Sequence, residues 1–160
     1  MKLKRTNKRG YVFELAKREK RLLLDTLKLY PLVPAAHHRL TKSSAGENHD
    51  EDQRLLEESL AEQRRENRRQ LESMLAEPER FRETESGFQF TLSSAQVEWL
   101  LQVLNDVRVG SWLALGEPDE HTEPEVTPKN VRYVLALEIC GHFQSELLAA
   151  LGVEQSAHWS

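Results

Sequence analysis

Four arginines, Arg64, Arg65, Arg68 and Arg69, are spaced so that a helix gathers them on one side, because positions three and four apart are helical neighbours. Such a cluster suits a phosphate backbone or an acidic protein surface. Glu57, Glu58, Glu62, Glu66 and Glu72 flank or interleave it, so a solvated charged helix is the plainer expectation. A second polar group, Asn105, Asp106 and Arg108, interrupts an apolar run. Polar groups so placed need hydrogen-bond partners, supplied either by neighbouring elements that they cap or bridge or by a bound partner. Glu138 and His142 are four apart, where a carboxylate can raise an imidazole towards neutrality for acid-base work, although a simple helix-stabilising pair explains the spacing as well. His37 and His38 are adjacent among prolines and lack the spacing and the cysteine or carboxylate support of a zinc site. Cys140 stands alone, which excludes a disulfide framework, a cysteine-rich metal site and a resolving thiol; a buried, inert thiol is expected. No nucleophile elbow, phosphate-cradling glycine loop or dinucleotide fingerprint is present. The expectation is a chain with no catalytic residue, no cofactor and no metal.

The elements that position these residues follow from periodicity. Lys2 to Thr6 and Tyr11 to Leu15 read as strands joined by a turn at Asn7-Lys8-Arg9-Gly10. From Lys17 the period becomes helical, with Leu23, Leu24 and Leu27 on one face and a stop near Tyr30 set by Pro31 and Pro34. Residues 41–49 are small and polar and read as a flexible loop. A long helix over Glu51 to Leu75 carries a stripe of Leu56, Leu60, Gln63, Asn67, Leu71 and Met74, whose amide centre suits either solvent bridging or a homodimer. Phe88 to Leu92 alternates as a strand and leads into a helix opened by a Ser93–Gln96 capping box and stopped by Gly116. Thr127 and Pro128 open a last helix with a core face of Val131, Val134, Leu135, Ile139, Phe143, Leu147 and Leu151, ended by Gly152.

Residues 10–27 align without gaps on residues 87–104 at a constant offset of 77, matching Gly10 with Gly87, Phe13 with Phe90, Leu15 with Leu92, and Leu23, Leu24 and Leu27 with Leu100, Leu101 and Leu104. Each copy is a strand feeding a helix. A duplicated βα unit is therefore expected, related by a pseudo-twofold, with both strands in one sheet. The fold expectation is α+β and mainly helical: a helical bundle with a small antiparallel sheet made of the N-terminal hairpin plus one strand, in a single domain over 1–160.

Charge is divided unevenly. Residues 1–28 hold ten Lys or Arg against three Asp or Glu, whereas the rest holds twelve against twenty-three. The plainer expectation is that the two halves attract each other; the sharper one is a basic face for an acidic partner or nucleic acid. The basic N-terminus lacks an apolar region behind it, no stretch reads as a membrane span, and a cytoplasmic location is expected.

The basic strand-turn-strand opening, the leucine helix, the charged middle helix and above all Trp99-Leu100-Leu101-Gln102-Val103-Leu104-Asn105-Asp106-Val107-Arg108 followed by Leu113-Ala114-Leu115-Gly116 resemble the AosR-like family of bacterial proteins, named for oxidation-sensing transcription regulators. The resemblance implies a regulatory role. Redox sensing in that family is associated with a cysteine pair, and the lone Cys140 keeps it from being carried over. The functional expectation is thus a non-enzymatic regulatory or protein-interaction module with a protein partner, contacted through Arg64, Arg65, Arg68, Arg69, Asn105, Asp106, Arg108 or the basic hairpin. A DNA-binding transcription regulator is the alternative, and a small hydrolase or metal enzyme stands third.

Overall fold

The computed structural model describes residues 1–34 and 49–159, with side chains described as far as Gly152. His37, His38 and residues 41–48 of the expected loop lie outside the described residues. In chain order the elements are β1 (Lys2–Asn7), β2 (Gly10–Leu15), α1 (Lys17–Leu27), α2 (His49–Ala76), β3 (Phe81–Glu83), β4 (Phe88–Leu92), α3 (Ser94–Ala114) and α4 (Val131–Trp159). The fold is α+β and mainly helical, as the sequence predicts. The sheet has four strands rather than three, all antiparallel, in the order β1-β2-β4-β3. The additional strand β3 spans three residues, too few for an alternating pattern to announce it.

Alternation decides which face of the sheet is buried. Tyr11, Phe13 and Leu15 on β2 pair with Leu92, Phe90 and Phe88 on β4, and this side meets the helices. The opposite side carries cross-strand rows of Lys2, Glu14, Gln89 and Arg82 and of Arg5, Val12 and Thr91. The core closes over the first face with Leu23 and Leu27 of α1, Val97, Leu100, Leu104 and Val107 of α3, and Ala136, Cys140, Phe143, Leu147 and Ala150 of α4. Burying these side chains stabilises each by roughly 1.5–3 kcal/mol for the larger ones.

Pairing register and sequence offset meet at one point. Phe13 lies opposite Phe90, and these two residues also correspond at the offset of 77. Arg5 opposite Val12 and Thr6 opposite Tyr11 have their counterparts in Arg82 opposite Gln89 and Glu83 opposite Phe88. Gly10 and Gly87 serve the same close approach: a Cβ on Gly10 would meet the Leu92 carbonyl oxygen at 2.2 Å, and one on Gly87 would meet the Leu15 carbonyl oxygen at 2.1 Å. At equivalent positions both helices that follow open with a third-residue side chain reaching back to the N-cap N–H, but only α3 has the full box, because Ala16 has no side-chain acceptor. The Glu19 carboxylate accepts from the Ala16 N–H at 3.0 Å, and the Gln96 side chain accepts from the Ser93 N–H at 2.8 Å while Ser93 Oγ accepts from the Gln96 N–H.

Two expectations for α4 are corrected. Its buried face runs through Ala136, Cys140, Phe143, Leu147 and Ala150, leaving Val131 and Leu135 exposed at 37% and 49%. The helix is apolar nearly all round, so hydrophobic spacing does not select a face, and the small Ala136 and Ala150 are what lie within the core. The helix also continues past Gly152, which helices tolerate at about 1 kcal/mol relative to Ala. Val131–Gly152 is moreover long and apolar enough by composition to cross a bilayer, which the sequence reading did not expect, although Arg132, Glu138 and Glu146 lie within it. Gly116 takes the left-handed conformation expected at the end of α3, with φ of +83°.

Candidate interaction surface

The arginine cluster divides into two inward and two outward members. Arg64 donates to the Pro31 carbonyl at 2.9 Å, and Arg68 donates to the carbonyls of Lys28, at 2.9 Å, and Tyr30, and to Glu72 at 3.1 Å. Helix α1 ends at Leu27, and while backbone N–H groups of residues 28–30 donate to the carbonyls of Leu24, Thr26 and Leu27, the two guanidiniums from α2 satisfy the carbonyls of Lys28, Tyr30 and Pro31 just beyond. Arg65 and Arg69 are exposed, and Arg69 pairs with Glu66 at 3.4 Å. An open groove of about 420 Å³ lies along this face, lined by Pro31, Ala61 and the four arginines. One nitrogen of Arg64 and two of Arg68 are thus engaged within the chain.

The second predicted group behaves likewise. Asp106 Oδ1 accepts from the Leu32 N–H at 2.7 Å and the Val33 N–H at 3.3 Å, while Leu32 covers Gly110, where a Cβ would stand 2.6 Å from Leu32 Cγ. Tyr30, whose phenol burial raises in pKa, is hydrogen-bonded to Asn67 of α2. The Tyr30–Val33 segment is therefore clamped between α2 and α3, and Asp106 bridges elements. Asn105 and Arg108 remain exposed and hydrogen-bond to one another at 3.3 Å.

Glu138 and His142 do not pair. Both are exposed, and His142 Nε2 lies 3.5 Å from Glu19 of α1 instead. Cys140 is fully buried, and removal from water pushes its thiol up to about 12, with Arg108 opposing weakly. A thiol so protonated is a poor nucleophile. No group of three or more metal-ligating side chains occurs among the described residues.

One structural residue gave no sequence signal. Arg80 is 7% exposed and donates to the Met74 carbonyl at 3.1 Å, the Thr91 carbonyl at 2.6 Å, Gln96 at 2.9 Å and Glu77 at 2.6 Å. It thereby ties the end of α2 to β4 and to the opening of α3. Three of its four acceptors are carbonyls or an amide, so charge pattern alone could not have marked it.

The basic hairpin stands in contrast. Lys2, Lys4, Arg5, Lys8 and Arg9 are all exposed, and none forms an ion pair among the described residues. Nor does any Lys or Arg of residues 1–28 pair with an acid from the rest of the described chain; Lys28 pairs with Asp25, and Lys20 lies over the rings of Phe88, at 3.9 Å, and Phe81, at 4.9 Å. Among the described residues, then, no Lys or Arg ion pair stands behind the expected attraction between the two halves: the sheet keeps β1 at its edge, and α2 meets the core through Leu71, Met74 and Leu75 at its far end. Beside the hairpin turn, a cleft of about 300 Å³ runs between Thr6–Tyr11 and Ser93, Ser94 and Ala95 at the start of α3. No protein-family model, curated protein or solved structure matches the chain.

Proposed function

We propose that the chain is a non-enzymatic regulatory or protein-interaction module that contacts an acidic partner through the β1–β2 hairpin. The observation that carries this reading is charge without ion pairs among the described residues: five cations within eight residues, all exposed. Concentrated like charge raises the energy of the free protein and steers an oppositely charged partner towards the surface, with an attraction that salt screens. The resemblance to the AosR-like family supports a regulatory role in the cytoplasm. Fluorescently labelled polyglutamate tests the reading: it should bind the intact chain at low salt and lose affinity when Lys4, Arg5 and Lys8 are changed to Glu. Absence of binding at low salt would reject it.

DNA binding is the second reading, favoured by the cleft beside the turn. There the first N–H groups of α3, the hydroxyls of Ser93 and Ser94 and the cations Lys8 and Arg9 would suit a phosphate. Retention on duplex DNA that falls steeply with salt is its signature.

The duplicated unit belongs to the same proposal. Support comes from the matched register about Phe13 and Phe90, the paired glycine contacts and the Glu19 and Gln96 side chains that each accept from the N-cap N–H three residues back, all at the offset of 77.

A further inference from the structure

The two edges of the sheet are not alike. At one edge β3 is three residues long, its Phe81 ring stacks on Phe90 at 4.6 Å, and Arg80 immediately before it is buried in hydrogen bonds to the body. At the other edge β1 runs for six residues, all of them exposed except the half-buried Leu3. An edge strand presents a row of unpaired backbone N–H and C=O groups and so is a template for another strand.

The side chains of β1 restrict what could join it. Lysines on an edge discourage pairing with apolar strands, which would have to desolvate the cations, and they repel a second copy of the same edge. These charges exclude most strands while favouring one that brings carboxylates, so exclusion and selection arise from the same residues. The register places Arg5 beside Val12 and Lys2 beside Glu14 on the sheet face away from the helices, and the ladder shifts between Leu3 and Arg5, leaving Lys4 without a cross-strand partner. Leu3 packs against the core, and α4 packs along β1, so the edge is fixed before a partner arrives.

We infer that β1 accepts an extended acidic segment of a protein partner as a fifth strand of the sheet. Backbone hydrogen bonds to β1 supply one part of the attraction, and carboxylates at alternate positions, which fall on a single face of a strand, meet Lys2 and Arg5 and supply the other. The inference rests on the reading of the hairpin as a contact surface for an acidic partner.

The test uses the intact chain and a labelled peptide of about ten residues alternating Glu with Val, followed by fluorescence anisotropy. A second peptide of identical sequence carries N-methyl groups on the alternate backbone amides of one edge, in two versions that cover either edge. The unmodified peptide should bind, at least one methylated version should bind about tenfold or more weakly, and the Lys4→Glu, Arg5→Glu chain should lose about tenfold with unchanged circular dichroism. Slowed amide exchange along β1 on peptide addition should accompany binding. Equal affinity for all three peptides would overturn strand addition while leaving the acidic-partner reading intact. Duplex DNA bound in preference to the peptide would overturn it in favour of nucleic acid. Failure of both the peptide and polyglutamate to bind would remove the underlying reading as well.

Discussion

The two strand-turn-strand-helix segments of the sheet, residues 4–27 and 81–104, pair alike next to their turns and diverge further out, where β1 bulges at Lys4, and they end in opposite surface character. Where the first segment has Lys4, the second has Phe81 stacked against Phe90; where the first turn reads Asn7-Lys8-Arg9-Gly10, the second reads Thr84-Glu85-Ser86-Gly87. Two further contacts seal the second edge. Arg80 fastens it to α2 and α3, and Lys20, reaching across from α1, lies over Phe81 and Phe88. One backbone plan thus supports a closed edge and an open one. The residues that decide between them are few and lie outside the apolar positions that set the plan.

The comparison breaks most sharply at the glycines. Gly10→Ala and Gly87→Ala should each destabilise by about 3 kcal/mol or more, because the new methyl meets a carbonyl oxygen in both cases and Gly10 in addition has φ of +133°. Equilibrium denaturation measures both, and a tolerated change at one of them would show that the two approaches are not equivalent. Next comes Arg80→Ala, expected to lose about 2–4 kcal/mol because several buried acceptors are left without a donor, against a change within about 0.5 kcal/mol for Arg5→Ala on the open edge. Equal losses at the two sites would erase the distinction between sealed and open edges. Asp106→Ala, which releases the Leu32 and Val33 N–H groups, should lose about 1–3 kcal/mol without altering polyglutamate binding at the hairpin.

The smallest effect separates the core from both edges. Because burial raises the Cys140 thiol from 9.0 to about 12, the folded chain holds this proton where the unfolded chain has released it. Its stabilising contribution is complete below about pH 9 and is lost as pH rises through the folded value near 12. Stability should therefore fall above about pH 9 in the native chain and less so in Cys140→Ala measured against its own baseline. Alkylation of Cys140 at neutral pH should require unfolding, and rapid labelling of the folded chain would contradict its burial.

Much of this fold was legible because its signals are local. Alternating Phe88 to Leu92, the Ser93–Gln96 box and Gly116 each fix a boundary within a few residues, and the structure places α3 between them. The offset of 77 pointed to two strands in one sheet, and β2 and β4 are neighbours in it. What escaped depends on contacts distant in sequence. For Asp106 a bridging role stood among the expectations without its partner groups, and for Arg64 and Arg68 a solvated helix face was the plainer one; only the folded path of residues 28–33 supplies the carbonyls and N–H groups they bind. Arg80 was invisible for the same reason. On α4, too many apolar residues rather than too few hid the buried face, and on β1 the cations were legible while their lack of ion pairs among the described residues was not.

The manner in which α2 is held has a consequence for amide hydrogen exchange. Its 28 residues extend over about 42 Å, and its two buried side chains, Leu71 and Met74, lie in the last two turns, close to the arginines that grip the backbone of residues 28–31. Opening the helix from its His49 end exposes little apolar surface, whereas opening it from the Ala76 end tears out Leu71 and Met74. Exchange along this one helix should therefore be graded, fast where it begins and approaching the global rate where it ends.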